Sequence, residues 1–157
     1  MMWWRRTPAK ILEQPKARWA VGELYSRIKR GRTFEQLSRA EQVLVLALRL
    51  RDEVLNGTVW QYLSNSSGDL FYHAVRALDE MGAGECSGAL KDVAAWFPQG
   101  EVPADRATRN VQMAAIEDAT PEFEKRLREV NDRIDEAFPL MYVKLVAYLK
   151  EHTSELR

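Results

Sequence analysis

The sequence predicts an all-α fold, a compact single-domain helical bundle of about six to eight helices. Apolar residues recur at three- and four-residue intervals through most of the chain, and no strand-length window alternates convincingly with period two. The 157 residues are 46% hydrophobic and 29% charged, which suits one folded core and excludes an intrinsically disordered chain. The longest clean apolar run, Val43 to Leu48, falls far short of the roughly 18 residues of a membrane span, so no membrane partner is expected.

The first helix is expected from Pro15, which suits an N1 position, to Gly31, with Ala17, Val21, Leu24, Tyr25 and Ile28 on one face. Lys29 and Arg30 stand at its C-terminal end, where the helix dipole favours cations. Ser38 and Glu41 have capping-box spacing and open a long helix through Val43, Leu44, Ala47, Leu48, Val54 and Leu55, the candidate centre of the core. Asn56-Gly57 ends it. A short segment, Thr58 to Leu63, leads to the turn Ser64-Asn65-Ser66-Ser67-Gly68, rich in side chains that bond their own backbone. The next helix carries Leu70, Phe71, Ala74, Leu78 and Met81 and stops at Gly82 in a left-handed conformation. Leu90, Val93, Ala94 and Phe97 mark another, closed by Pro98, and 98–103 is a loop. A helix from about Ala104 to Ile116 follows. Thr120-Pro121 is expected to cap a helix with Phe123, Leu127, Val130, Ile134, Ala137 and Phe138, and Pro139 to separate it from a last one, Leu140 to about Glu151.

The formal charge of zero hides an uneven distribution. Residues 1–37, read as a basic N-terminal arm and first helix, hold nine basic and three acidic side chains, whereas residues 38–157, read as the main helical domain, carry a net −6. The lone Cys86 forms no internal disulfide and, with only His73 and His152, offers no zinc cluster. No cofactor or metal is expected. The opening Met-Met-Trp-Trp-Arg-Arg lacks the apolar core of a secretory signal, and a reducing, cytoplasmic setting is the expectation.

The most distinctive stretch runs from Asp52 to Asp69. It resembles a bacterial family of unknown function whose best-described member is a DNA-mimic protein, with the pattern E, two residues, N-G-G-F, one residue, Q-Y-F, one residue, N-S-S-G. Glu53, Asn56, Gly57, Gln61, Tyr62, Asn65, Ser66, Ser67 and Gly68 match, and Ala77 to Ala83 supply a later element. The proline loop after Trp96-Phe97 and the acidic helix through Asp132 and Asp135 are also similar, so the resemblance covers roughly residues 38–150. Two departures stand in the turn: Thr58 replaces the second glycine, and Val59-Trp60 replaces the phenylalanine. The resemblance implies an all-helical fold, no known catalytic activity and, in the described member, a dimer that occupies the DNA-binding surface of a helix-turn-helix transcription factor.

The residues suggest where such contacts lie. Glu117, Asp118, Glu122, Glu124, Glu129, Asp132, Asp135 and Glu136 make an acidic stretch, and a DNA mimic needs carboxylates at phosphate-like intervals. Lys125, Arg126, Arg128 and Arg133 are interleaved, and Glu122–Arg126, Glu124–Arg128 and Glu129–Arg133 have the i, i+4 spacing of an ordinary solvated face. Asn56, Gln61, Tyr62, Asn65, Ser66 and Ser67 are the other binding candidates, and the same side chains serve equally as caps and loop pins. Trp60 and Tyr62 suit the core better than a ligand platform.

No catalytic set emerges. Asp69 stands four residues before His73 and is placed to orient its ring, but no nucleophile elbow surrounds Ser66 or Ser67, and Cys86 has no local base. The expected function is therefore a protein-interaction domain whose partner is a DNA-binding protein. Direct nucleic-acid binding by the basic N-terminal segment, with Trp3, Trp4 and Trp19 among its arginines, is the alternative. Mimicry by the whole chain requires that this segment fold away from the acidic face.

Overall fold

The computed structural model describes residues 6–28 and 30–157, which form eight α-helices and no strand. They are α1 (Pro8–Leu12), α2 (Ala17–Ile28), α3 (Arg39–Asn56), α4 (Val59–Ser64), α5 (Phe71–Glu80), α6 (Gly84–Ala94), α7 (Arg106–Ala119) and α8 (Phe123–Glu151), with short 3₁₀ turns at 34–36, 66–70, 98–100 and 153–155. The packing of Trp3 and Trp4 and the placement of Arg5 and Lys29 lie outside the described residues.

Two long helices form the spine. α3 is apolar on most of its circumference, burying Val43, Leu44, Val45, Leu46, Ala47, Leu48 and Leu50, because α2, α4, α5 and α8 surround it. Its capping box forms as expected: Ser38 Oγ accepts from the Glu41 N–H, and Glu41 Oε2 accepts from the Ser38 N–H at 2.9 Å. Glu41 is wholly buried. It also takes both Nη groups of Arg32 (2.9 and 3.0 Å) and the N–H of Arg157, so one carboxylate ties the approach to α3 to the C-terminus.

α8 is the second spine, and here the expected break fails. Pro139 lies inside one continuous helix of 29 residues. Its ring is on the exposed side, where only the Asp135 carbonyl loses an N–H partner and water can replace it. The buried stripe stays in phase across it, through Ile134, Phe138, Met141, Tyr142 and Leu145. The start of α8 also differs: Thr120-Pro121 do not cap it, and Glu122, in the left-handed region at φ 54°, makes the turn instead. α7 begins two residues later than expected, at Arg106, because Asp105 caps it by accepting from the Thr108 N–H at 2.8 Å. Gly82 adopts its expected left-handed conformation, φ 81°.

The expected first helix is shorter, Ala17–Ile28, and a separate helix, α1, precedes it. Thr7 caps α1 and Pro8 occupies its first turn. Ile11, Leu12, Ala20, Val21, Leu24 and Ile28 join the same core as α3 and α8. Both α1 and α2 pack on the second half of α8, where Gln14, Pro15 and Ala17 lie beside Val143, Val146 and Lys150. The acidic stretch occupies α7 and the first half of α8. At about 1.5 Å per residue α8 is about 43 Å long, so α1–α2 and the acidic stretch sit toward opposite ends of it.

Candidate functional site

Around the turn between α4 and α5, polar side chains are drawn inward by two charged residues. Glu53, near the end of α3, accepts from Gln61 Nε2 (3.2 Å) and Asn65 Nδ2 (2.8 Å) through Oε2, and from Ser67 Oγ (3.3 Å) through Oε1. Gly57 permits this arrangement, since a Cβ there would stand 2.0 Å from Gln61 Oε1. Thr58 resolves the family departure at this turn: its backbone is extended, φ −148°, and its hydroxyl caps α4 by accepting from the N–H groups of Trp60 and Gln61. The Val59 N–H donates to Asn131 Oδ1 of α8 at 2.8 Å, fixing α4 against the acidic helix.

Arg109 of α7 holds the other side of the turn and is completely buried. Nε donates to the Leu63 carbonyl, Nη1 to the carbonyls of Pro103 (2.9 Å) and Ala104 (3.0 Å), and Nη2 to the Asn65 carbonyl (3.1 Å) and Asp69 Oδ1 (2.7 Å). All five donors of the guanidinium are thereby satisfied. The Leu63 carbonyl, with that of Ser64, which takes Arg106 Nε at 3.0 Å, is left unpaired by the end of α4, whereas the Asn65 carbonyl also accepts from the Gly68 N–H at 3.1 Å. Gly68 is required by the same contact, because a Cβ would meet the Leu63 carbonyl oxygen at 2.5 Å and Arg109 Nε at 2.9 Å. The sequence carried a signal for Arg109: it shares the α7 stripe of Met113 and Ile116 at i, i+4 and i+7.

The expected binding residues fall into four places. Gln61 and Asn65 face Glu53 and pin the turn; Tyr62 is in the core, where burial pushes its hydroxyl far above its ordinary pKa. Asn56, Ser66 and Ser67 line an open polar cleft of about 390 Å³ with Tyr25, Arg49, Asp52 and Glu53. Asp132 and Asp135 are exposed on α8. Burial and the neighbouring Asp132 raise the carboxyl pKa of Asp135.

The helical ion pairs foreseen for the acidic stretch do not form. Arg126 lies over the Trp96 ring, 4.6 Å from its centroid, and Arg133 reaches across to Asp92 of α6. Glu117 accepts from the indole N–H of Trp60, and the other seven carboxylates of the stretch have no cation within ion-pair distance among the described residues. The aromatic cluster of Trp60, Trp96, Phe97 and Phe123 holds the half-buried Trp96 ring in place for Arg126 to occupy instead of a solvated carboxylate.

The expected contact between Asp69 and His73 is also absent. Asp69 is taken by Arg109, while His73 Nδ1 meets Arg76 at 3.4 Å and its ring stands edge-on to Phe34. Cys86 is buried, which pushes its thiol up to about 12.

A model of the DMP19-like protein family matches residues 35–152. The chain belongs to the DMP19-like family. The matched span takes in α3 to α8, and so contains the whole Glu53–Arg109 arrangement and all of the acidic stretch. The DNA-mimic resemblance carried by the segment 52–69 thus identifies the right family. No curated protein and no solved structure proved similar to this DMP19-like chain.

Proposed function

We propose that this DMP19-like protein is a non-enzymatic, cytoplasmic interaction protein whose acidic α7–α8 end occupies the DNA-binding surface of a DNA-binding protein, a transcription factor being the expected kind. The observation that carries this reading is the state of the carboxylates in residues 117–136: their interleaved arginines are partly diverted, to Trp96 and Asp92, leaving the acids turned to solvent. Glu129, Asp132 and Glu136 share one face of α8, rising about 4.5 and 6 Å apart along the axis. Charges at that interval suit a basic surface shaped for a phosphate backbone. The basic α1–α2 region packs toward the far end of the same helix, which supports this reading.

Affinity capture from the native cell should recover a DNA-binding protein, and duplex DNA should release it. Asp132→Asn with Asp135→Asn should weaken that complex about tenfold while leaving the free protein at least as stable, since the pair repels itself when unbound. Recovery of no specific protein, or competition with DNA unaltered by the double variant, would refute the reading. The dimer implied by family resemblance belongs to the same proposal: Leu140 and Val143 are more than half exposed on one face of α8, and a charge at Val143 should return a dimer to monomer in light scattering.

A second reading has one observation in its favour. Arg18, Trp19, Arg27, Arg30 and Arg51 line an open groove of about 820 Å³, and the Trp19 ring is 66% exposed. Stacking and phosphate contact there would make a nucleic-acid site. Gel shifts at low salt with the intact chain and with Arg18→Glu, Arg30→Glu decide it; no shift with the intact chain removes this reading.

A further inference from the structure

Between α4, α7 and the start of α8 lies an open cleft of about 520 Å³ whose chemistry is more specific than that of the acidic surface around it. Trp60, Met113, Phe123 and Leu127 give it an apolar floor; Glu117 and Glu124 stand on its rim. Glu117 is fixed by the Trp60 indole N–H, while Glu124 is exposed and has no cation within ion-pair distance. Among the described residues no basic side chain lines the cleft. Its volume is that of a binding pocket rather than a packing fault, and its three walls are tied to one another: Asn131 of α8 holds the start of α4, and Arg109 of α7 holds the end of α4.

An apolar floor under two carboxylates fits an amphipathic cation. We propose that the cleft receives an arginine of the partner, carried on a helix beside an apolar residue, so that its aliphatic stem lies over the apolar floor and the guanidinium meets Glu117 and Glu124 at the rim. Arginine fits better than lysine, because a planar, weakly hydrated fork can pair with two carboxylates at once. This rests on the acidic-face reading and deepens it: the α8 carboxylates steer a basic surface, and the cleft holds one anchor of it.

The test uses the intact chain and NMR titration with a synthetic amphipathic helical peptide carrying arginine four residues from leucine, and with the same peptide carrying citrulline in place of arginine. The arginine peptide should shift the Trp60 indole N–H and the Met113 methyl signals, and the citrulline peptide should bind about tenfold more weakly. Ala114→Phe, which fills the cleft from an exposed position, and Glu124→Gln, a surface change that leaves the fold intact, should each lower affinity for the arginine peptide by about tenfold. Shifts confined to residues 129–136 and unaffected by either variant would overturn the cleft while leaving the acidic face standing. No binding of either peptide at low salt would also overturn it, and the function itself would still be judged on the captured partner and the Asp132, Asp135 variant.

Discussion

Replacing Arg109 with methionine tests whether the family turn is held by a buried cation. The substitution keeps an unbranched apolar stem in the α7 stripe and removes all five hydrogen bonds. The Leu63 carbonyl is fully buried, and leaving it unpaired costs about 1–3 kcal/mol. The carbonyls of Pro103 and Ala104 are at the edge of the core and rehydrate more cheaply, at about 0.5–1 kcal/mol each, and that of Asn65 keeps the Gly68 N–H. Asp69 is nearly half exposed, so its ion pair contributes at most about 1 kcal/mol. The expected loss is about 2–6 kcal/mol, a large fraction of the stability of an ordinary domain. Urea unfolding followed by far-UV circular dichroism should show a midpoint lowered by about 2 M with an unchanged slope. Arg109→Lys should recover less than half of it, because an ammonium cannot span acceptors arranged around a planar fork. A loss under about 1 kcal/mol for Arg109→Met would refute the claim that this guanidinium ties α7 to the end of α4.

Gly68→Ala should destabilise by about 2–3 kcal/mol in the same assay, since its Cβ would collide with a backbone oxygen and with Arg109. Burial alone would raise the Glu41 carboxyl, but hydrogen bonds from Arg32 and from the N–H groups of Ser38 and Arg157 hold it below the usual range. That stability is therefore present above the unfolded pKa of about 4.5 and is lost as pH falls through the lower folded value; Glu41→Gln should flatten the acid limb of a stability–pH curve. Cys86, its thiol pushed up to about 12, should resist iodoacetamide at pH 8 in the folded protein and react in urea.

Periodicity made most of the helices legible because their apolar residues recur at helical spacing: the Ser38–Glu41 box, the α3 core and Gly82 stand where their residue types require. Pro139 misled because a proline breaks a helix only when the lost hydrogen bond and the displaced carbonyl cannot be accommodated, and on the outer face of α8 they can. Ion-pair spacing misled for a related reason. Helical spacing tells Arg126 and Arg133 which neighbours they have along α8, whereas Trp96 and Asp92 come from another element and are visible only once the chain is folded. Of the site, the Glu53 to Gly68 motif is readable as a unit; for Arg109 the stripe with Met113 and Ile116 marks only a buried position, and its partners, more than forty residues away, appear only in the fold.

The placement of α1 and α2 on the far half of α8 gives a neutral molecule a strong electric dipole along its longest helix. Net charge then says little about how it meets a partner: the field of a basic surface turns the acidic end inward before contact and carries the basic end outermost. The same dipole sets the solution behaviour of the free protein. Near its isoelectric point of about 6.8, molecules attract head to tail, so light scattering should rise as salt is withdrawn, the reverse of what a uniformly charged acidic protein shows.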